Sequence, residues 1–592
     1  MPPAAPHAAS QAASPGLRGL TKRWRLPEPP GVLDPSLPPL VARVLAGRPN
    51  LSAAGLDPKL TGLHDPSGIP DLDWAAEMLL EAGRAGEAIA IYGDYDVDGT
   101  TGSAILHHVL RLLCPRAKLL HYVPHRLGDG YGVHAHAIEE LASAGASVIV
   151  TVDCGITAIE PARRARDLGV RLVITDHHNP PASVEGLPEA DAVVHPGRPD
   201  SSYPFAGLCG AGVAFKLAWR MATLAGDGGR AAAEPRALLL DLLPLAALGT
   251  VADVSPLIDE NRILVTHGLA LMRRTRVRGL AALAERCVRE QRPISVGDLG
   301  FRLGPRINAL GRVAEADEAI ELLTTSDEGR IEAICDAMDE LNQQRQSIER
   351  LIVEQACTQV ERLGLDRDEH RTIVLAHEDW HPGVIGIACS RLVERYNRPT
   401  ILLQRDDDVC KGSGRSIPGF NLHGAVAACS DCVESFGGHD AAIGLKVSSG
   451  RLDAFSDALV AHANDRISID ELTPEVRVDA DVELSELDEP TVHALEALGP
   501  FGRGNPTPRL RLRGVRIAQA PVLMGSSSAH LSVLVRDNAG VMLKLVGWNW
   551  GRHAEYIRNG ETLDVVVTPR VEEYRGRRSV RGEIADVRRV DG

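Results

Sequence analysis

Ala88-Ile89-Ala90-Ile91-Tyr92-Gly93-Asp94-Tyr95-Asp96-Val97-Asp98-Gly99 is the stretch whose reading decides the fold. An apolar, strand-forming run ends in three alternating carboxylates and a glycine, and the run from Ser103 to Leu110 then reads as a helix. Two more strand signals end in acidic or imidazole clusters. Ser147-Val148-Ile149-Val150-Thr151-Val152 leads into Asp153-Cys154-Gly155, and Arg171-Leu172-Val173-Ile174-Thr175 leads into Asp176-His177-His178. A further acid, Asp253, ends Gly249-Thr250-Val251-Ala252-Asp253. Alternating strands and helices argue for an α/β domain with a parallel sheet.

In an open parallel sheet, ligands bind beyond the carboxyl ends of the strands, so these clusters converge at one edge. So many carboxylates repel one another unless cations sit between them. The physical reading is a two-metal hydrolytic site. Asp96 and Asp98 are expected to ligate one metal each. Asp153 is expected to bridge, since a carboxylate spans ions roughly 3.5–4 Å apart. His177 supplies the imidazole, Asp253 completes the second position and Asp94 is a further candidate ligand. A calcium loop would need a Glu at its twelfth position, where Ile105 or His107 stands instead. The mixed carboxylate and imidazole set favours Mn2+, with Mg2+ as the other candidate.

At 592 residues the chain is expected to hold three or four domains of ~150 residues each. A net charge of −15 argues against a basic nucleic-acid coat protein but leaves room for arginines concentrated in one groove. Ten cysteines without a framework pattern predict a reduced, cytoplasmic protein, and Cys429-Ser430-Asp431-Cys432 reads as an incidental pair on a helix. No run approaches ~18 uninterrupted apolar residues, so no membrane span is expected.

Five regions follow from composition and periodicity. Residues 1–23 are expected to be a disordered tail. Residues 24–280 form the first α/β domain, with a proline-rich N-terminal wrap. Residues 281–365 form a helical connector, in which Arg330 to Leu363 lacks Gly and Pro and predicts one helix of about 50 Å that bridges two domains. Residues 366–470 form a second α/β unit. Residues 471–592 read as short alternating strands, a small barrel.

Asp96-x-Asp98, Asp153, Asp176-His177-His178 and Gly249 to Asp253 resemble the four motifs of the DHH phosphoesterases. The string Tyr92 to Thr101 is closer still to that superfamily's bacterial exonucleases specific for single-stranded DNA. The resemblance spans Trp24 to the C-terminus. It implies a DHH domain, a long bridging helix, a DHH-associated domain and a C-terminal OB-type barrel. It also implies 5′→3′ hydrolysis of single-stranded DNA to 5′-mononucleotides in recombination and repair, by a monomer that works with a helicase and a single-strand-binding protein.

Under this resemblance Asp153 and His178 are the catalytic residues, with His178 a phosphate contact or electrostatic stabiliser rather than a ligand. The superfamily's pyrophosphatases carry a ligand His where Tyr92 stands, which leaves Asp94 to compensate. Gly304-Pro305-Arg306-Ile307-Asn308-Ala309-Leu310-Gly311-Arg312 nominates Arg306, Asn308 and Arg312 as DNA contacts. Further along, His381, then Ser413, Arg415 and Ser416, then His439 match the DHH-associated domain. Tyr574 and Arg577, on the last hairpin, are candidates for holding the strand by stacking and charge. The rivals are a phosphodiesterase of the same superfamily acting on short oligonucleotides, and a non-catalytic replication scaffold.

Overall fold

A computed structural model of the protein describes residues 17–590 other than 29–32, 50, 52–55, 127, 228, 290–291, 314–316 and 575, with the backbone alone for 312, 313 and 574. Its first sheet has five parallel strands in the spatial order Lys118–Tyr122, Ala88–Gly93, Val148–Val152, Arg171–Thr175, Ala192–Val194. The strand order reverses between Ala88–Gly93 and Val148–Val152. A parallel sheet opens its ligand crevice at such a switch point, and these two strands deliver Asp94, Asp96, Asp98 and Asp153.

The strands Ala88–Gly93, Val148–Val152 and Ala192–Val194 are almost wholly buried because helices cover both faces. Ile89 and Ile91 point into a core shared with the helices Val97–Leu113, Gly210–Leu224 and Ala233–Ala252, while Ala90 and Tyr92 point into the opposite one. The helix Ala233–Ala252 is long and apolar enough to cross a membrane by length and composition. Its Leu242, Leu245, Ala246 and Leu248 are instead buried in that core. The same core runs on through the helix Arg278–Cys287 to Met338, past the boundary expected at 280.

The helix Glu328–Leu363 has 36 residues, about 54 Å at 1.5 Å per residue. Asp327 caps its start by accepting from the Arg330 amide, and Gly364, at φ 66°, ends it. Ile331, Ile334 and Met338 belong to the first core, whereas Ile352, Ala356 and Val360 pack with Trp380, Ile385 and Leu392 of the next domain. One rigid element thus sets the spacing of two cores. The second sheet runs Ser435–His439, Ala442–Ser448, Val409–Arg415, Thr400–Gln404, Ile373–His377, and only its last pair is parallel. In the barrel, Leu510–Met524, His530–Arg536, Met542–Gly547, Arg577–Arg589 and Thr562–Tyr574 close through pairing of the first with the last.

Three sequence expectations are corrected here. The tail expected over 1–23 is structured at its end, because Leu17–Arg18 and Arg23–Arg25 form strands and the second pairs with Glu475–Arg477; residues 1–16 lie outside the described residues. The N-terminal wrap covers the barrel before it reaches the first domain. Trp24 is fully buried and its indole donates to Asp586 (2.7 Å), while Leu40, Val41 and Val44 join the barrel core. Cys429 and Cys432 flank a 3-10 turn rather than riding on a helix, and all ten cysteines are free thiols.

The wrap is locked by a buried ion pair. Arg48 Nη2 lies 3.1 Å from Asp479 Oδ1, and Arg48 Nη1 donates to Asn505 Oδ1 at 2.8 Å. Removing one partner of such a pair leaves an uncompensated buried charge and costs ~3–5 kcal/mol. Arg48→Ala is therefore expected to lower the denaturant midpoint of the barrel transition, measured through Trp fluorescence, with the first α/β domain's transition unmoved.

Candidate metal centre and substrate cleft

Each acidic side chain is placed by its own local device. Asp96 is the N-cap of the helix Val97–Leu113, and its Oδ1 accepts from the amides of Asp98 (2.8 Å) and Gly99 (3.1 Å). Asp98 turns inward and is 1% exposed. Its two oxygens accept from the amides of Gly210 (2.6 Å) and Ala211 (2.9 Å), the first residues of the helix Gly210–Leu224. The free amides and partial positive charge of a helix start therefore hold one buried carboxylate.

Asp153 sits at φ 66°, a left-handed conformation that non-glycine residues rarely adopt. Strain of this kind costs ~1–3 kcal/mol and concentrates at functional sites. Close packing enforces it. A Cβ on Gly210 would fall 2.6 Å from the Asp153 Cβ, and one on Gly249 would fall 2.5 Å from Asp98 Oδ1.

Asp176 is a holder rather than a ligand. Its Oδ1 accepts from the amides of His177 (2.7 Å) and His178 (3.1 Å) and from the His178 ring (2.8 Å), and its Oδ2 accepts from Ile156 (2.9 Å). Burial pushes its carboxyl up, but the His178 hydrogen bond and charge and these amides outweigh that and bring it to about 2. For His178, burial works against the charged form, yet the same bond and the Asp176 charge raise it to about 9. Tyr131 adds a hydroxyl 2.8 Å from His178 Nδ1 and donates to the Asp153 carbonyl at 3.2 Å.

The remaining acids move the other way. Burial, then Asp96, raises Asp94 well above the carboxylate range. Burial, then Asp98, does the same to Asp153. Burial, then Asp253, lifts Asp98 to about 6, and burial raises Asp253 despite His177. The ligating atoms fall into three tight groups: Asp94, Asp96 and Asp153; Asp98, His177 and Asp253; Asp153, His177 and His178.

Asp94 Oδ1, Asp153 Oδ1 and His177 Nε2 are buried with no hydrogen-bond partner. His177 Nε2 lies 3.0 Å from Asp153 Oδ1 and 3.7 Å from Asp98 Oδ2, yet makes a proper hydrogen bond with neither. Buried polar atoms left unpaired beside one another call for an ion. A carboxylate and imidazole set without thiolate fits Mn2+ or Mg2+.

Such a centre at the switch point of a five-stranded parallel sheet, joined by a long helix to a second α/β domain, defines a DHH phosphoesterase. The sequence matches the models for the DHH family N-terminal domain over residues 88–250, the DHHA1 domain over 369–465 and the RecJ OB domain over 478–586. It is 34% identical to the single-stranded-DNA-specific exonuclease RecJ of Dickeya dadantii, over 95% of this chain and 98% of that one. It is also 34% identical to RecJ of Escherichia coli, over 93% and 95% of the two chains. Crystalline RecJ of Thermus thermophilus in complex with Mn2+ superposes with a TM-score of 0.80 at 29% identity, covering 96% of this chain and 80% of that one. The chain belongs to the RecJ family.

The structure brings Asp94, Asp96, Asp98, Asp153, His177, His178 and Asp253 together, and distributes the other nominated residues more widely. His381 caps the helix Pro382–Tyr396, its Nδ1 accepting from the Gly383 amide at 3.1 Å. Arg415 donates to the Gly414 carbonyl, and both it and Ser413 lie against Gly386 on that helix. The Ser416 hydroxyl donates to the Phe420 carbonyl (2.7 Å). His439 reaches across the cleft, where the Asn179 amide approaches its Nδ1 at 3.4 Å, one residue after His178.

Arg306 pairs with Asp339 of the bridging helix at 2.6 Å, a contact that braces the connector. Asn308 Oδ1 is buried without a partner. The side chains of Arg312 and Tyr574 lie outside the described residues. Arg577 is exposed on its hairpin.

The sequence reading missed the Gly210 and Ala211 amides, Tyr131 and Arg126. The Cys209-Gly210-Ala211-Gly212 run before an apolar stretch was the available signal for the first. Arg126 stacks over Tyr95 at 4.7 Å, and its charge, after burial, depresses the Arg415 guanidinium. One guanidinium from each domain thus feels the other's charge, a repulsion that an anion would relieve.

Gly210→Ala removes no ligand but drives a methyl into Asp153. We expect at least a hundredfold weaker Mn2+ binding by electron paramagnetic resonance, with an unchanged far-ultraviolet spectrum.

Proposed function

We propose that the protein is a divalent-cation-dependent exonuclease that hydrolyses single-stranded DNA from the 5′ end, releasing 5′-mononucleotides in recombination and repair. The observation that carries this reading is the convergence of Asp94, Asp96, Asp98, Asp153, His177 and Asp253, with buried orphan atoms, on the side of the first domain where Asn179 meets His439 of the second. Asp94, Asp96 and Asp153 would hold one cation, and Asp98, His177 and Asp253 the other. When bound, the cations supply Lewis-acid charge and a water nucleophile at neutral pH.

The chain's own residues do the rest. Asp176 fixes the orientation of the His177 and His178 loop through three backbone amides. His178, held cationic by Asp176, presents positive charge beside Asp153, where a phosphodiester gathers negative charge as it reacts. Arg126 and Arg415 favour a phosphate between the two domains. The His439 and Asn179 contact brings the two domains within reach of each other beside that region, which supports passage of one backbone rather than two.

The complete ligand set speaks against a non-catalytic scaffold. The barrel and the 36-residue bridging helix speak against a substrate of one or two nucleotides. Delivery of unwound strand by a helicase and a single-strand-binding protein to a monomeric, cytoplasmic enzyme completes the reading.

Asp153→Ala should abolish hydrolysis of a 5′-labelled single strand while DNA binding persists or tightens, because negative charge leaves the cleft. Activity within tenfold of wild type would contradict the assignment of Asp153. Blunt duplex should resist degradation under conditions that consume single strands completely, and a strand blocked at its 5′ end should persist while one blocked at its 3′ end is consumed.

A further inference from the structure

Phe301 is 80% exposed, more than any other large apolar side chain among the described residues. It lies on a π-helical turn, Leu299–Leu303, whose flanking Leu299 and Leu303 are fully buried. Single π turns interrupt helices at functional positions more often than elsewhere. The turn rests on the segments that carry the cation ligands. A Cβ on Gly300 would lie 3.6 Å from Val251 Cγ1, and one on Gly304 would lie 3.7 Å from the Ala252 Cβ and 3.9 Å from Val97 Cγ2. Val251 and Ala252 directly precede Asp253, and Val97 separates Asp96 from Asp98.

Beside the ring is a cavity of about 450 Å³, lined by Asn308, Arg345, Gln346, Arg350 and Arg391 among others. Three units meet there: the first domain, the bridging helix and the helix Pro382–Tyr396. Two of the arginines are balanced by two carboxylates: Glu349 lies 2.7 Å from Arg345 Nη1 and 2.9 Å from Arg391 Nε, and Glu394 lies 3.1 Å from Arg391 Nη1. Arg350 donates only to the Gln346 carbonyl (3.3 Å) and the Ser347 hydroxyl (3.2 Å), with no carboxylate in ion-pair range among the described residues. Asn308 Oδ1 is a buried acceptor with no donor.

We propose that this cavity is a base-stacking subsite, in which Phe301 takes the face of one unpaired base and Arg350 the adjoining phosphate. The proposal deepens the single-strand reading above and rests on it. An exposed ring, an uncompensated guanidinium and an unsatisfied amide oxygen match a nucleotide's π-face, phosphate and exocyclic amine. A base inside a duplex is already stacked on both faces and cannot offer one to Phe301. The subsite therefore adds to strand-state selectivity a term independent of the width of the cleft.

The test uses the full chain freed of metal with chelator, so that strands bind without hydrolysis, and single strands carrying one 2-aminopurine at successive positions from the 5′ end. Wild type should quench the probe at one or two adjacent positions. Phe301→Ala should remove that quenching, and Phe301→Trp should retain it. With Mn2+ restored, Phe301→Ala and Arg350→Gln should each raise KM for long single strands about tenfold, the effect falling on KM rather than kcat. Because Phe301 is exposed, the melting temperature should not move.

Unchanged quenching and KM in Phe301→Ala would overturn the proposal and leave the ring to a protein partner. If wild type cut single strands yet quenched at no position, the subsite would fail while the exonuclease reading stood. Wild type that neither bound nor cut single strands would sink both.

Discussion

Mutual repulsion among buried carboxylates is the constraint from which the rest of this structure follows. Asp94, Asp98 and Asp153 are each at most 3% exposed and share one pocket with Asp96 and Asp253. Burial and proximity both disfavour their charged forms. The fold meets this partly with fixed dipoles: the start of the helix Gly210–Leu224 on Asp98, and three loop amides on Asp176. The Asp176 and His178 pair adds one positive group. What these do not neutralise is left for cations, and the orphan atoms of Asp94, Asp153 and His177 mark where neutralisation is missing. Glycines at 210 and 249 are required because the carboxylates stand where a side chain would go.

A second constraint is spatial. Two α/β domains that face each other must be held at a set distance, and a helix packed into both cores holds them. The buried positions near its two ends are apolar and its middle carries buried Asn342, Arg345 and Glu349, the level at which the cavity beside Phe301 opens. The chain ends reinforce this frame. The N-terminal strands and the helix Pro39–Ala46 bind the barrel, and the segment leading into the barrel returns to the first domain, where the Arg503 carbonyl accepts from the Leu257 amide at 2.7 Å. Leu257 lies just beyond Asp253, so the barrel's entry segment touches the same region as the candidate cation ligands.

Much of this was legible in the sequence because it is written in local pattern. Ala88–Gly93 and Val148–Val152 are short, almost continuously apolar runs of the kind that a parallel strand covered on both faces requires, and the acids follow them directly. The bridging helix announces itself by 34 residues without Gly or Pro from Arg330 to Leu363. What stayed hidden depends on contacts distant in sequence. The hydrogen bonds from Gly210 and Ala211 to Asp98 span 112 and 113 residues, and the strand Arg23–Arg25 pairs with a segment more than 400 residues away. Periodicity carries no trace of such pairs. Arg306 shows the converse, since a guanidinium nominated for a phosphate also suits a carboxylate, and Asp339 on the neighbouring helix is within reach.

The most direct test of the central claim is the number of cations the metal-free protein takes up, measured by titration calorimetry with Mn2+. Two ions should bind per chain, and Asp153→Ala, which removes a ligand common to two of the three groups, should bind fewer. Two ions bound equally well by wild type and by Asp153→Ala, or no saturable binding by wild type, would contradict the account.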